Sequence, residues 1–313
     1  MAMENLVNAY VTCWAPNTPN LESGSLYENN DFGCENSQIF RNNINIELFT
    51  HEEVCSLSWL LTRELRGQIN MDHYVFWSWC ASIIDFQASA RKFPSGHWLN
   101  DEFNIVKAFV SVVNLILSAS RSLNLNGSEE VNDHMLVTYV NRYLLVGPLC
   151  CTILEGVLRR KNVKYIDREG VVLSPFKIGT IQYSPVGHST RGKHNMNQIA
   201  HSFRLLENYT IGDRGRNCTG LTELNNETLS LFPASRNAYE VIGRWRNTLQ
   251  HGNQFWQNRV PILSNYICLM FMDEFEPAVF DSELATFKQR FDWLIQGPRK
   301  ALSRLNSPYP PDF

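Results

Sequence analysis

Arg246 and His251 stand in the segment Arg246-Asn-Thr-Leu-Gln-His251-Gly252. One is a permanent cation, the other a group that exchanges protons near neutral pH, and together they suit chemistry at a phosphodiester. The planar arginine fork donates two parallel hydrogen bonds to phosphate and never deprotonates. Histidine, with an unperturbed pKa of about 6.5, can act as base or acid at working pH. Cutting RNA without a metal calls for a base at the ribose 2′-OH, a cation at the phosphate and an acid at the leaving 5′ oxygen. That route leaves a 2′,3′-cyclic phosphate.

Spacing alone selects little, because Arg66/His73, Arg91/His97 and Arg244/His251 also fit Arg-x4–6-His in a chain with 20 Arg and eight His. What distinguishes Arg246 and His251 is the element that carries them. Ala238, Ile242, Trp245 and Leu249 fall at helical spacing and predict an amphipathic helix over 235–251. At 100° per residue His251 lies about 140° round from Arg246, so it points off the apolar stripe, toward solvent or a partner. Asn247 precedes His251 by one turn on the same face and could orient the imidazole or bind phosphate. Upstream, Leu154-Glu155-Gly-Val-Leu-Arg159 places a carboxylate on another predicted helix. Glu155 reaching Arg246 or His251 would fix its orientation and raise an imidazole pKa.

The Arg246/His251 segment resembles the Arg-x4–6-His signature of the HEPN superfamily, in the form where Asn follows the Arg and Gly follows the His. The Glu155 segment resembles the acidic-residue helix that often precedes the motif helix there, and Asp167-Arg-Glu-Gly170 resembles an insertion seen in some prokaryotic members. The resemblance covers residues 147–296. It implies a mostly α fold, a HEPN-type helical bundle with a small β-hairpin insertion, and a metal-independent endoribonuclease without a cofactor. Arg246, His251, Asn247 and Glu155 would be its catalytic residues. It also implies a homodimer in which two motifs face each other, supplying the second histidine that acid–base chemistry wants. RNA is the implied partner. A toxin or defence effector of this kind would be restrained by an antitoxin or regulatory protein. Some HEPN toxins carry a Tyr two residues after the His, where a paired nucleotidyltransferase modifies it. Here Asn253 stands there, so control by that route is not expected.

The elements that must position these residues divide at Gly147-Pro148, a boundary that no linker marks, so the two halves could also pack as one body. Residues 1–146 read as an additional N-terminal helical region of unassigned role, and 147–313 as the HEPN-like domain with a β-hairpin at about 163–185. Residues 1–49 look irregular. Thr50-His-Glu-Glu53 is a capping box opening a helix to Arg66. Further helices are predicted from Asp72 to Arg91 (stripe Val75, Trp79, Ile83, Phe86), over 101–119, and from Ser128 to Val146. Gly147-Pro148 is read as a break before a helix over 148–161. Residues 163–173 read as strand, turn and strand bending at Glu169-Gly170. Ile199, Phe203 and Leu206 predict a helix over 195–209, and 210–233 reads as loop. Pro261 opens a helix to Phe275. Asp281 is read as the cap of a last one, with stripe Leu284, Phe287, Phe291 and Leu294.

Length and composition exclude some classes. With 313 residues, 44% hydrophobic and 19% charged, the chain can fill a core and is not compositionally disordered. A net charge of −3 rules out binding nucleic acid through bulk charge. RNA contact must then be local, and Arg191, Lys193 and Arg244 are candidates, the first two in a basic run with His194, Arg214 and Arg216. Eight cysteines without CxxC or Cys/His spacing give no zinc site. With no basic-then-apolar leader, reduced thiols and a cytoplasmic setting are expected. No apolar run reaches the ~18 residues of a membrane span.

Plainer readings stand beside these. Arg246 and His251 could be a surface cation and a helix-terminal His favoured by the helix dipole, and Glu155 and Asn247 solvated polar residues. Trp59, Trp77, Trp79 and Trp98 read as core, His51 and His73 as helix-start residues. The second functional class is a non-catalytic helical module binding RNA, nucleotide or a protein partner.

Overall fold

A helix that is apolar on every side has to be surrounded, and the segment after Pro261 is such a helix. In the computed structural model it is α10, Arg259–Met272, with every side chain from Val260 onward buried. The structure describes residues 2–13, 38–42, 44–64, 71–125, 133–178, 181–185, 195–199, 202–207, 218–249 and 259–289. Among these are α1 Ala2–Cys13, α2 Gln38–Arg41, α3 His51–Glu64, α4 Met71–Ser89, α5 Trp98–Asp101, α6 Phe103–Leu125, α7 Asp133–Lys161, α8 Leu221–Leu231 and α9 Ala238–Leu249. A further helix, α11, covers 277–289. The fold is mostly helical, as expected, and α10 packs against α7, α3, α4 and α8.

Polar groups inside such a helix must find partners, and each one ties α10 to a different neighbour. Asn265 accepts from Trp77 Nε1 of α4 at 2.7 Å and donates to Thr62 Oγ1 of α3 at 2.8 Å. Tyr266 donates to Asn225 Oδ1 of α8 at 2.7 Å. At the C-terminal end, Lys161 of α7 donates to Met270 O at 2.9 Å, to Asp273 Oδ2 at 3.1 Å and to Glu274 Oε1. The other oxygen of Glu274 accepts from His97 Nε2 at 2.9 Å and Trp98 Nε1 at 2.8 Å. His97 Nδ1 accepts from Leu99 N, which leaves Nε2 as the protonated nitrogen. Burial alone would push the Glu274 carboxyl up, but Lys161 and His97 outweigh it and hold it down at about 2.

The capping box at Thr50 forms as read: Thr50 N donates to Glu53 Oε2 at 2.9 Å and Glu53 N to Thr50 Oγ1 at 3.3 Å. The four tryptophans pack in or against the core. His51 and His73 do start helices. Both are buried, their Nε2 atoms 2.8 and 2.9 Å from the carbonyls of Met272 and Leu61.

Several expectations are corrected. Residues 2–13 are helical rather than irregular. The chain does not break at Gly147-Pro148: α7 runs 29 residues with Pro148 inside it. An interior proline loses one hydrogen bond and crowds the preceding turn. Burial of the α7 faces against α6 and α10 outweighs that cost. The expected boundary therefore falls inside a helix, and residues on both sides of it share one hydrophobic cluster from Leu6 to Phe287. Within 210–233, read as loop, lies α8, with Leu221, Leu224 and Thr228 buried. Asp281 lies inside α11 and caps another helix, its Oδ1 accepting from His51 N of α3 at 2.7 Å.

The β-hairpin falls within 163–185 as expected, but not at 163–173. There Ile166 bridges to Val172 and Val171 to Gln198, the bend closed by Asp167 Oδ1 accepting from Glu169 N and Val171 N, both at 2.8 Å. Gly170 there has φ +83°, and a Cβ on it would lie 2.9 Å from Ile199 O. The hairpin proper is β1 Phe176–Ile178 with β2 Ile181–Tyr183, antiparallel, where the paired Phe176 and Tyr183 rings stack at 4.8 Å. The helix read over 195–209 is not formed. β3, Asn195–Met196, pairs parallel with β2, and Ser202–Leu206 is a 3-10 turn. Ile199, Phe203 and Leu206 are nonetheless buried, as their spacing implied.

Candidate active site

Two helices build the site. On α9, Ala238, Val241, Ile242 and Trp245 are buried, and Trp245 meets Phe232 edge-on at 5.1 Å. That anchoring turns Arg246 toward α7. On α7, Ile153, Leu154, Val157 and Leu158 are buried and Glu155 stands at the margin. The carboxylate and the motif arginine meet: Arg246 Nε lies 3.4 Å from Glu155 Oε2, with side chains 37% and 15% exposed. Glu155 Oε1 takes Arg159 NH2, one turn along α7, at 2.7 Å. Arg159 is itself fixed, donating from Nε to Ser202 Oγ at 2.6 Å and from NH1 to the Arg168 carbonyl.

One carboxylate thus holds two guanidiniums. Arg159 uses all its nitrogens on protein. Among the described residues no hydrogen bond is made by the terminal nitrogens of Arg246, whose contact with Glu155 is through Nε. Beneath them Cys151 is buried. Desolvation pushes its thiol up to about 12, Arg246 opposing this and Glu155 adding to it.

Arg244 and Asn247 occupy the exposed side of α9. Arg244 donates to Ser235 Oγ and, from Nε, to Glu240 O at 3.4 Å. With Arg236, Tyr239, Glu240 and Gly243 they line an open groove of about 540 Å³. His251, Arg191 and Lys193 lie outside the described residues, as do His194, Arg214 and Arg216. Of the competing Arg/His spacings, His73 and His97 are committed to Leu61 O and Glu274.

Sequence reasoning missed Arg159 as the second partner of Glu155, although i, i+4 spacing on one helix signals it. It also did not single out Arg236 and Tyr239, which stand on the same short stretch of chain as Arg244 and line the groove with it. Among the described residues no cluster of three or more His, Cys, Asp or Glu is placed to hold a metal, and no helix is long and apolar enough to cross a membrane. Cys55, Cys80, Cys150, Cys151, Cys218 and Cys268 are free and buried. Comparison of the chain with family models, with curated proteins and with solved structures returns no match.

Proposed function

We propose that the chain is a metal-independent endoribonuclease of HEPN type. The observation that carries this reading is the Arg246–Glu155 ion pair between α9 and α7. It joins the segment that resembles the HEPN motif helix to the one that resembles the acidic helix preceding it. In the proposed reaction one His251 takes the proton of the ribose 2′-OH and O2′ attacks phosphorus. Arg246, steadied by Glu155, stabilises the charge on the non-bridging oxygens. The P–O5′ bond breaks, and a second His251, from the other copy of a homodimer, protonates O5′. Asn247, exposed one turn before His251, serves to orient the imidazole or the phosphate. A role as toxin or defence effector, with an antitoxin or regulatory partner, would follow from such an activity.

The test is cleavage of varied RNAs by the purified protein in EDTA, beside His251→Ala and Arg246→Ala, with product ends identified. Cleavage that survives EDTA, leaves 2′,3′-cyclic phosphate ends and is lost in both folded variants is the expected result. Wild-type protein that binds RNA without cutting it, with binding unchanged in the variants, would assign the chain to the binding class instead. Light scattering that shows a strict monomer at micromolar concentration would remove the two-histidine mechanism.

A further inference from the structure

The carboxylate that meets Arg246 is itself held, and part of the hold comes from outside the two site helices. Arg159 NH2 donates to Glu155 Oε1 at 2.7 Å, Nε donates to Ser202 Oγ at 2.6 Å, and NH1 donates to the Arg168 carbonyl. An i, i+4 ion pair on a helix surface is weak by itself and leaves both side chains free to turn. A guanidinium is rigid and planar, so acceptors on three of its nitrogens fix the orientation of the whole group. Glu155 Oε1 is fixed with it, and Oε2 is the oxygen left to face Arg246 Nε at 3.4 Å.

The two outer acceptors on Arg159 are tied to each other. The bend that presents the Arg168 carbonyl is fastened to the segment after β3: Ile199 N donates to Gly170 O at 2.9 Å, and Val172 N to Asn197 O at 3.0 Å. Ser202 follows, buried at the head of the 3-10 turn Ser202–Leu206. A hydroxyl in that position must find a partner, and a charged one makes the stronger bond. The turn packs on both α7 and α9. Ser202 holds Arg159 of α7, while Arg204, two residues on, lies 5.6 Å from the centre of the Tyr239 ring of α9. One short turn therefore touches both helices that carry the Glu155–Arg246 pair.

We propose that Ser202 and Arg159 are positioning residues of the site and act in series. Ser202 and the Arg168 carbonyl fix Arg159, Arg159 fixes Glu155, and Glu155 sets the angle of Arg246. Ser202 bears on the reaction in this way without touching substrate. The proposal rests on the reading above in taking Arg246 to the scissile phosphate, but the order of the series does not depend on that reading.

The experiment is a set of double-mutant cycles on the full chain, because residues that act through one another are not additive. Single-turnover RNA cleavage is measured for Ser202→Ala, Arg159→Met, their combination, and each of them in a Glu155→Gln background. Ser202→Ala should lower kcat about fivefold and Arg159→Met about tenfold, with KM changed less than about twofold. The combination should lose no more than Arg159→Met alone, and in Glu155→Gln neither change should lower kcat further. If Arg159→Met does not fold, Arg159→Lys, which keeps a charge for Glu155 and gives up the fork, takes its place. A second readout needs no cleavage: the side-chain Nε–H resonance of Arg246 in protein labelled with 15N-arginine, identified by its absence in Arg246→Lys. Its exchange with water should quicken about tenfold in Ser202→Ala and in the Arg159 variant, as in Glu155→Gln. Additive losses in the cycles, or an Arg246 resonance that exchanges as in wild type in both variants, would overturn the proposal. A wild-type chain that cuts no RNA would remove the nuclease reading, and the Arg246 resonance would then decide the series by itself.

Discussion

Arg246 Nε and Glu155 Oε2 lie 3.4 Å apart across the gap between α9 and α7, and the second oxygen of that carboxylate holds Arg159 at 2.7 Å. One negative charge is thereby shared between a structural cation and a candidate catalytic one. Removing it would leave two guanidiniums facing each other, Arg159 still held by Ser202 and the Arg168 carbonyl but Arg246 without the carboxylate that sets its angle.

Glu155→Gln should therefore separate positioning from folding. Exposed ion pairs contribute at most about 1 kcal/mol, and Arg246 is 37% exposed, so the melting temperature should move little. Misplacing a phosphate-binding group costs about 100-fold in rate at the upper end. Single-turnover kinetics should show a loss of about 10- to 100-fold in kcat with a smaller change in KM. A stable variant cutting at the wild-type rate would show that Glu155 does not position Arg246.

Asp281→Ala should destabilise the protein by about 0.5–2 kcal/mol, the usual range for losing a helix N-cap. The bond lost is a further one at the start of α3, beside the Thr50 box that remains, because Asp281 Oδ1 accepts from His51 N. Equilibrium urea unfolding measures it, and hydrogen exchange should show the loss first in the opening turn of α3.

The buried Lys161–Glu274 pair sets a dependence on acid. Glu274 is held at about 2, below its ordinary 4.5. A depressed carboxyl contributes stability that is whole above the unfolded value and lost as pH falls through the folded one. Urea midpoints should thus drop between about pH 4.5 and 2. Glu274→Gln should flatten that drop and cost about 3 kcal/mol or more at neutral pH, since the buried Lys161 would lose one of its two carboxylate partners and keep Asp273. Replacing both Lys161 and Glu274 by apolar residues should recover part of the loss.

Pro148→Ala should stabilise the chain by about 1–3 kcal/mol. It restores an amide hydrogen bond and removes a ring from the interior of α7. Thermal unfolding checks it. A decrease would mean that neighbouring side chains are fitted to the bend the proline imposes.

Where stability is local, the sequence is readable. The Thr50/Glu53 box and the Ala238/Ile242/Trp245 stripe depend on residues three and four apart, and both occur as read. What escaped depends on the rest of the fold. The Leu221/Leu224/Thr228 stripe of α8 sits among asparagines and a glycine and is held by packing on α3. Asn195-Met196 gives up a helix because β2 offers it a ladder. Asp281 sits at its own helix in sequence and serves another in space. The site divides in the same way. The types of Arg246, Glu155 and Asn247 were legible, but the ion pair exists only once α7 and α9 are packed.

The enclosure of α10 also bears on the order in which the chain can become itself. The Asn265 bonds to Thr62 and Trp77 join segments separated by most of the sequence between them. Such distant pairings slow the search for the native state, because long loops must close before any contact rewards them. During synthesis α3 and α4 emerge first and must hold apolar faces that have no cover until α10 follows. Over that interval the nascent chain depends on transient shelter, so its yield should respond to chaperone supply and growth temperature before its finished stability does.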